Sequence, residues 1–110
     1  MTLRPEPDFS LDGIIHERAR LAVLTYLAGS SSVRVPFTEL RERLDLTAGN
    51  LSVQLRTLEQ AGYVEIDKRI IGRKPITTVS LTAQGQEALQ NYIAKMEAIL
   101  RRLKSQPTQL

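Results

Sequence analysis

The polar residues best placed to contact a binding partner lie from Thr47 onward, in the stretch TAGNLSVQLRTLEQAG. Leu51, Leu55 and Leu58 recur at spacings of four and three, which is typical of a helix with one buried face. The helical period places small and polar residues on the opposite face, namely Gly49, Asn50, Val53, Arg56, Thr57 and Gln60. Because this outer face carries no acidic side chain, it can approach a polyanion without repulsion.

A second group of cations follows, at Lys68-Arg69 and Arg73-Lys74. Residues 64–67 and 78–81 alternate between apolar and polar side chains, as half-buried strands do, and Gly72 permits a turn between them. The pattern predicts a β-hairpin whose tip holds four cations and no acid. These cations could bind phosphates, or they could serve only to keep an exposed strand edge from aggregating.

A shorter helix must position the polar face. The apolar pattern predicts this helix over residues 37–44, with three residues on its inner side: Phe37, Leu40 and Leu44. Asp45 interrupts the pattern, Thr47 can cap a second helix that starts at the next residue, and Gly62 is placed to end that helix. Two helices joined in this way can place the second helix in a DNA major groove. A hairpin that meets only water is the alternative, and the basic β-hairpin that follows favours DNA.

Two further helices are predicted on either side of this unit. Residues 12–27 carry a wide apolar stripe, with Asp12 as the N-cap and Gly29 at the end, which suggests burial both in the core and against a partner subunit. After Thr82, apolar residues follow a 3-4-3-4 spacing over two heptads, as in helices that pair with other helices. We predict a dimer contact formed by Ile15, Leu89, Tyr92, Ile93, Met96, Ile99, Leu100 and Leu103. Packing on the domain itself or on a membrane surface is the alternative.

One domain is expected from length and composition. The chain has 110 residues, of which 42% are hydrophobic and 25% charged, as in ordinary globular domains. We divide it into a flexible arm (1–11), one folded domain (12–104) whose last helix spans about 82–104, and a frayed tail (105–110). The net charge of +3 points only weakly to a polyanion. No apolar run is long enough to span a membrane and no signal sequence is visible, so the cytoplasm is the predicted location.

Catalytic and metal-binding chemistry finds little support. The chain has no cysteine and only one histidine, His16, so neither a thiolate site nor a histidine-based metal site can be proposed. Glu39, Glu42 and Asp45 lie close together, but their spacing is typical of a solvated helix face. We therefore predict no enzymatic activity and no cofactor.

The order of these elements resembles the winged helix-turn-helix transcriptional regulators of the multiple-antibiotic-resistance (MarR) and arsenical-resistance (ArsR) type, in their compact single-domain branch. The strings that carry the resemblance are RARLAVLTYLA, FTELRERLDLTAGNLSVQLRTLEQAGYVEI and TTVSLTAQGQEAL, within residues 13–103. The fold implied is mainly α with a small β-hairpin: a three-helix core, a wing sheet of two or three strands, and a long C-terminal helix for dimerisation. The metal-sensing branch carries cysteine and histidine ligands, which this chain lacks.

The resemblance implies a homodimer that binds double-stranded DNA at a palindromic operator, with repression as the expected role. Carried over by position, the base-reading candidates are Gly49, Asn50, Val53, Gln54 and Arg56, and the phosphate-binding candidates are Thr47, Ser52 and Thr57. Wing candidates are Lys68, Arg69, Arg73 and Lys74. Asn50 could pair with adenine, Arg56 with guanine or phosphate, and Val53 with a thymine methyl. A protein-interaction module or a non-specific architectural DNA-binding protein is the alternative, and any small-molecule effector is unknown.

Overall fold

The computed structural model describes residues 10–105, in which four helices and three strands follow one another. They are α1 (Arg18–Gly29), β1 (Val35–Pro36), α2 (Phe37–Arg43), α3 (Ala48–Gln60), β2 (Val64–Ile71), β3 (Lys74–Leu81) and α4 (Ala83–Ser105). The predicted mainly helical fold with a β-hairpin and a long last helix is confirmed. The arm predicted over residues 1–11 and the tail predicted over 105–110 lie almost entirely outside the described residues.

Apolar residues from these elements form one core. The predicted inner face of α3 is confirmed, since Leu51, Leu55 and Leu58 are 0%, 2% and 0% exposed. They belong to one buried cluster with residues of α1, α2, the sheet and α4, among them Val23, Leu24, Leu40, Val35, Val64, Val79 and Leu89. Within residues 10–105, no buried side chain is polar or charged. Polar side chains in this part of the chain therefore reach the surface, where they can contact a partner.

Helix α1 begins at Arg18 rather than at Asp12, so the predicted N-terminal boundary was wrong. The backbone of Glu17 is extended (φ −149°, ψ 136°), and its carboxylate accepts from two N–H groups of the first helical turn at 3.1 and 2.8 Å. Asp12 caps a preceding turn instead, accepting from the N–H of Ile14 at 2.8 Å. Because a turn keeps apolar residues at nearly helical spacing, Ile15 is still fully buried. The spacing of apolar residues alone could not distinguish a turn from a helix before Arg18.

The junction between α2 and α3 has the predicted capping. Asp45 reverses the chain with a φ of 53°, in the left-handed region that aspartate tolerates better than most residues. The Thr47 Oγ1 accepts from the N–H of Asn50 at 3.1 Å, which confirms Thr47 as the N-cap of α3. At the other end Gly62 has a φ of 83°, and its N–H donates to the carbonyl of Glu59 at 2.9 Å. Local residue chemistry thus fixes both ends of α3.

The three strands form one antiparallel sheet in the order β1-β3-β2. The hairpin of β2 and β3, hereafter the wing, stays in register up to Ile71 opposite Lys74. Gly72 and Arg73 form its tip, and both have positive φ (56° and 68°), as in the two-residue turns that match the twist of a hairpin. The sheet has three strands, within the two or three that the resemblance implied, because β1 pairs with β3.

Helix α4 packs on the domain through its first half. Its buried residues are Gly85, Leu89 and Tyr92. Beyond them lie apolar residues that the described chain leaves largely uncovered: Ile93 is 45% exposed, Leu100 46% and Leu103 61%. None of the described helices is sufficiently long and apolar to cross a membrane.

The predicted dimer surface needs correction at three positions. Ile15, Leu89 and Tyr92 are 0%, 4% and 6% exposed, so the core of the same chain already covers them and leaves little surface for a second copy. The sequence pattern could not separate these residues from the dimer surface. Apolar residues have the same helical spacing whether the core of their own chain or a second copy covers them. The remaining surface consists of Ile93, Met96, Ile99, Leu100 and Leu103, and its contact with a second copy stays a prediction.

Candidate nucleic-acid interface

The N-terminal half of α3 presents a polar face to solvent. Six of the eight candidates on and before this helix are exposed: Thr47, Gly49, Asn50, Ser52, Val53 and Arg56. Val53 is 57% exposed although it is apolar. The first turn carries no acidic residue, and the one acid of α3, Glu59, lies near its C-terminal end. A helix N-terminus with this face attracts anions, since its free N–H groups carry partial positive charge.

The wing carries the second set of candidates. Lys68, Arg69, Arg73 and Lys74 are all exposed, but only Arg73 and Lys74 lie at the tip, because Arg69 and Lys68 pair with Ile76 and Thr77 further along the hairpin. Two isoleucines lie beside them, with Ile70 79% exposed and Ile71 57% exposed. The tip is therefore both cationic and apolar, a combination that can contact phosphates together with the sugar walls of a minor groove.

One carboxylate of the wing pairs with two cations, one on the wing and one just before β1. Oδ2 of Asp67 lies 2.7 Å from Nε of Arg69 and 3.1 Å from Nη1 of Arg34. Exposed ion pairs of this kind contribute about 0–1 kcal/mol to stability, so their main effect is to orient the guanidinium groups. Sequence reasoning missed Arg34, because only the pairing of β1 with β3 brings residues near 34 beside the wing.

A cleft of about 520 Å³ separates α3 from the wing. Its lining residues are Phe37, Ser52, Leu55, Arg56, Glu59, Ile66, Lys68 and Thr77. Arg56 on the helix and Lys68 on the wing thus border the same space, which a charged backbone passing between helix and wing could enter. Glu59 adds one negative charge to this cleft and limits its net positive charge.

Two candidates on α3 are held by hydrogen bonds to neighbouring groups. Gln54 is half-buried, and its Oε1 accepts from Nη1 of Arg20 at 2.7 Å, while its Nε2 donates to Oδ1 of Asn50 at 3.0 Å. Thr57 is also half-buried, and its hydroxyl donates to the carbonyl of Val53 at 3.3 Å. Sequence reasoning missed Arg20, since it lies on α1 and no motif links it to α3.

The groups with shifted pKa values lie away from this face and support the fold. The hydrogen bond to Asp12, together with burial, raises the pKa of Tyr63 to about 12. A hydrogen bond of 2.5 Å to Glu39, together with burial, raises the pKa of Tyr26. Among residues 10–105, no cluster of His, Asp or Glu side chains is arranged to hold a metal ion.

Comparisons with known proteins agree with this geometry. The sequence profile of the winged helix DNA-binding domain matches residues 19–100. An uncharacterized protein of Methanocaldococcus jannaschii is 36% identical over 80 residues, which cover 73% of this chain and 85% of that protein. The structure of a transcriptional regulator homologue from Pyrococcus horikoshii is 32% identical, with a TM-score of 0.75 over 82% of this chain and 87% of that chain.

More distant structures share the fold alone. The transcriptional regulator MOSR of M. tuberculosis, solved in complex with DNA, is 18% identical, with a TM-score of 0.64 over 88% of this chain and 68% of that chain. The profile match spans most of the chain and includes α2, α3 and the wing. The protein belongs to the winged helix DNA-binding domain family.

Proposed function

We propose that the protein is a transcriptional regulator that binds a palindromic operator as a homodimer and acts as a repressor. The observation that carries the proposal is the exposed, acid-free N-terminal half of α3 beside the cationic wing. In helix-turn-helix proteins the second helix reads base edges in the major groove, largely with its N-terminal residues. Repression follows most simply, because a bound dimer excludes other proteins from the same DNA.

In this arrangement α3 enters the major groove and the wing reaches the adjacent backbone or minor groove. We assign base contacts to Gly49, Asn50, Val53 and Arg56, with Gln54 behind them. We assign phosphate contacts to Thr47, Ser52 and Thr57. The wing residues that contact the backbone or minor groove are Lys68, Arg69, Arg73 and Lys74. The cleft between α3 and the wing supports this assignment, since Arg56 and Lys68 line the space where the connecting phosphate backbone would pass.

A second copy of the chain is the proposed occupant of the exposed face of α4. Ile93, Met96, Leu100 and Leu103 follow a 3-4-3 spacing, which is the spacing of a helix that packs along a similar helix. At 1.5 Å per residue the 23 residues of α4 extend about 34 Å, and the buried ones all lie in its first half. Pairing of two such helices would bring the two α3 helices into a two-fold arrangement that matches half-sites about one helical turn apart.

The similarity to a regulator homologue at 32% identity supports this proposal, and the distant regulator MOSR, solved in complex with DNA, is consistent with it. The test is a binding selection on a pool of random DNA fragments at about 50 and 200 mM salt, with the bound fragments sequenced. Six to ten phosphate contacts would lower the affinity by about 10³- to 10⁵-fold between these concentrations. Enrichment of a palindrome with that salt dependence is the expected result.

Other outcomes separate the alternatives. Uniform, salt-sensitive binding to all fragments would indicate an architectural DNA-binding protein, because phosphate contacts alone carry no sequence information. No binding at the lower salt concentration would indicate a protein-interaction module that uses the same fold.

A further inference from the structure

We infer that Arg20 sets which atoms Asn50 presents to DNA, so that Asn50 favours guanine over cytosine. The inference rests on the proposed function, since it concerns how α3 reads bases. It assigns a positioning role to a residue of α1 and gives the base contact of Asn50 a defined hydrogen-bond polarity.

Arg20 is itself held in place. Its Nε donates to the carbonyl of Ile14 at 2.6 Å, and its Nη2 lies 3.5 Å from the carbonyl of Gly13. Its side chain is only 17% exposed, and Glu17 lies 3.9 Å away. The remaining Nη1 points at Gln54, with a separation of 2.7 Å from Oε1. The turn before α1 thus holds Nη1 of Arg20 in place as a hydrogen-bond donor to Gln54 of α3.

Chemistry then fixes the direction of the whole chain of hydrogen bonds. A guanidinium group has donors and no acceptor, so the atom of Gln54 that faces Arg20 must be its oxygen. The amide nitrogen of Gln54 therefore faces Asn50, and the atom of Asn50 at 3.0 Å must in turn be its oxygen. With Oδ1 turned toward Gln54, the exposed Asn50 presents its Nδ2 donors to the partner.

This polarity determines the expected base preference. In the major groove guanine shows two acceptors, N7 and O6, whereas cytosine shows a donor, N4–H. Because Oδ1 of Asn50 is turned toward Gln54 and its Nδ2 donors face outward, guanine is a better match than cytosine.

A single substitution reverses the polarity while leaving Arg20 in place. In Gln54→Glu the carboxylate has only acceptors, so one oxygen stays with Arg20 and the other accepts from Nδ2 of Asn50. Oδ1 of Asn50 then turns outward, where it accepts from N4 of cytosine. We expect the preferred base at this position to change from guanine to cytosine, with a discrimination of about tenfold in each direction.

The experiment is the DNA selection described above, carried out with the wild type, Asn50→Ala, Gln54→Glu and Arg20→Met. The position that loses its preference in Asn50→Ala identifies the base in question. At that position we expect guanine for the wild type, cytosine for Gln54→Glu and little preference for Arg20→Met. A guanine preference that persists in Gln54→Glu overturns the inference, and so does an unchanged preference in a folded Arg20→Met variant.

A measurement without DNA tests the hydrogen bonds directly. The side-chain NH₂ signals of Gln54 in NMR spectra should move toward those of free glutamine in Arg20→Met, and Arg20→Lys should restore part of the shift because an ammonium group also donates. Signals that do not move overturn the inference. A wild type that binds no DNA overturns the proposed function and the inference together, whereas specific binding with an unchanged base preference overturns the inference alone.

Discussion

Gly85 lies directly against the backbone of Tyr63. A Cβ atom at Gly85 would stand 2.1 Å from the carbonyl oxygen of Tyr63, well inside the 3.0 Å below which non-bonded Cβ contacts essentially never occur. The same carbonyl accepts from the N–H of Thr82 at 3.1 Å, and the Thr82 hydroxyl donates to the carbonyl of Gly62 at 2.6 Å. These hydrogen bonds hold the start of α4 against the residues that follow α3. They connect the proposed dimer helix to the proposed recognition helix.

Replacing Gly85 by alanine should destabilise the fold by about 3 kcal/mol, because neither the helix nor the Tyr63 carbonyl can move without breaking these hydrogen bonds. Urea unfolding followed by circular dichroism measures the loss. The matched control is Gly49→Ala in α3, where an added Cβ meets nothing within 4 Å. That variant should be as stable as the wild type or up to about 1 kcal/mol more stable. Equal stability of Gly85→Ala and the wild type would contradict the close approach.

Features that depend on neighbouring residues were predictable from the sequence. Thr47 caps α3, Gly62 ends it with a positive φ, and Leu51, Leu55 and Leu58 fill its inner face. Each of these features is decided within one or two helical turns, where residue type and spacing carry the relevant physics. The order of the elements followed from the same local signals.

Features that depend on contacts across the fold were not predictable. Arg20 and Gln54 are 34 positions apart, and Arg34 and Asp67 are 33 positions apart, so only the folded chain brings them together. The misassignment of Ile15 to a dimer surface has a similar origin. An apolar residue at helical spacing must be buried, but the spacing does not say whether its own chain or a second copy covers it.

The raised pKa of Tyr63 gives the fold a pH dependence above its ordinary pKa of 10.0. The unfolded chain loses this proton near pH 10, whereas the folded chain keeps it until about pH 12, so the stabilising contribution is complete below pH 10 and is lost as the pH rises. Tyr63→Phe should lower the free energy of unfolding by about 1 kcal/mol at pH 8. The difference from the wild type should shrink between pH 10 and 12, as urea unfolding at each pH will show. A difference in unfolding free energy that stays constant across this range would mean that the hydrogen bond to Asp12 does not cause the lower stability of Tyr63→Phe.

The exposed end of α4 should control the oligomeric state. Leu103 is 61% exposed in a single chain, and a carboxylate in its place would have to be buried if two α4 helices pack together. We expect Leu103→Glu to shift the protein from dimer to monomer in sedimentation velocity runs. Ala98→Glu adds the same charge on the opposite side of α4 and should leave the dimer intact. A monomeric wild type, or two variants that behave alike, would show that this face does not form the dimer.

The helix and the wing should contribute to DNA binding in different ways. Arg56 lies on the exposed face of α3, so Arg56→Ala should weaken operator binding by about 10- to 100-fold and relax the preference at one base pair. Arg73 lies at the tip of the wing, where a phosphate is the expected contact. Arg73→Ala should therefore weaken binding to the operator and to random DNA by the same factor, and reduce the salt slope by about one unit. Titrations of both variants on both DNAs at several salt concentrations measure these effects. If each variant loses the same affinity on the operator as on random DNA, then Arg56 contacts phosphate, and the sequence must be read by other residues of α3.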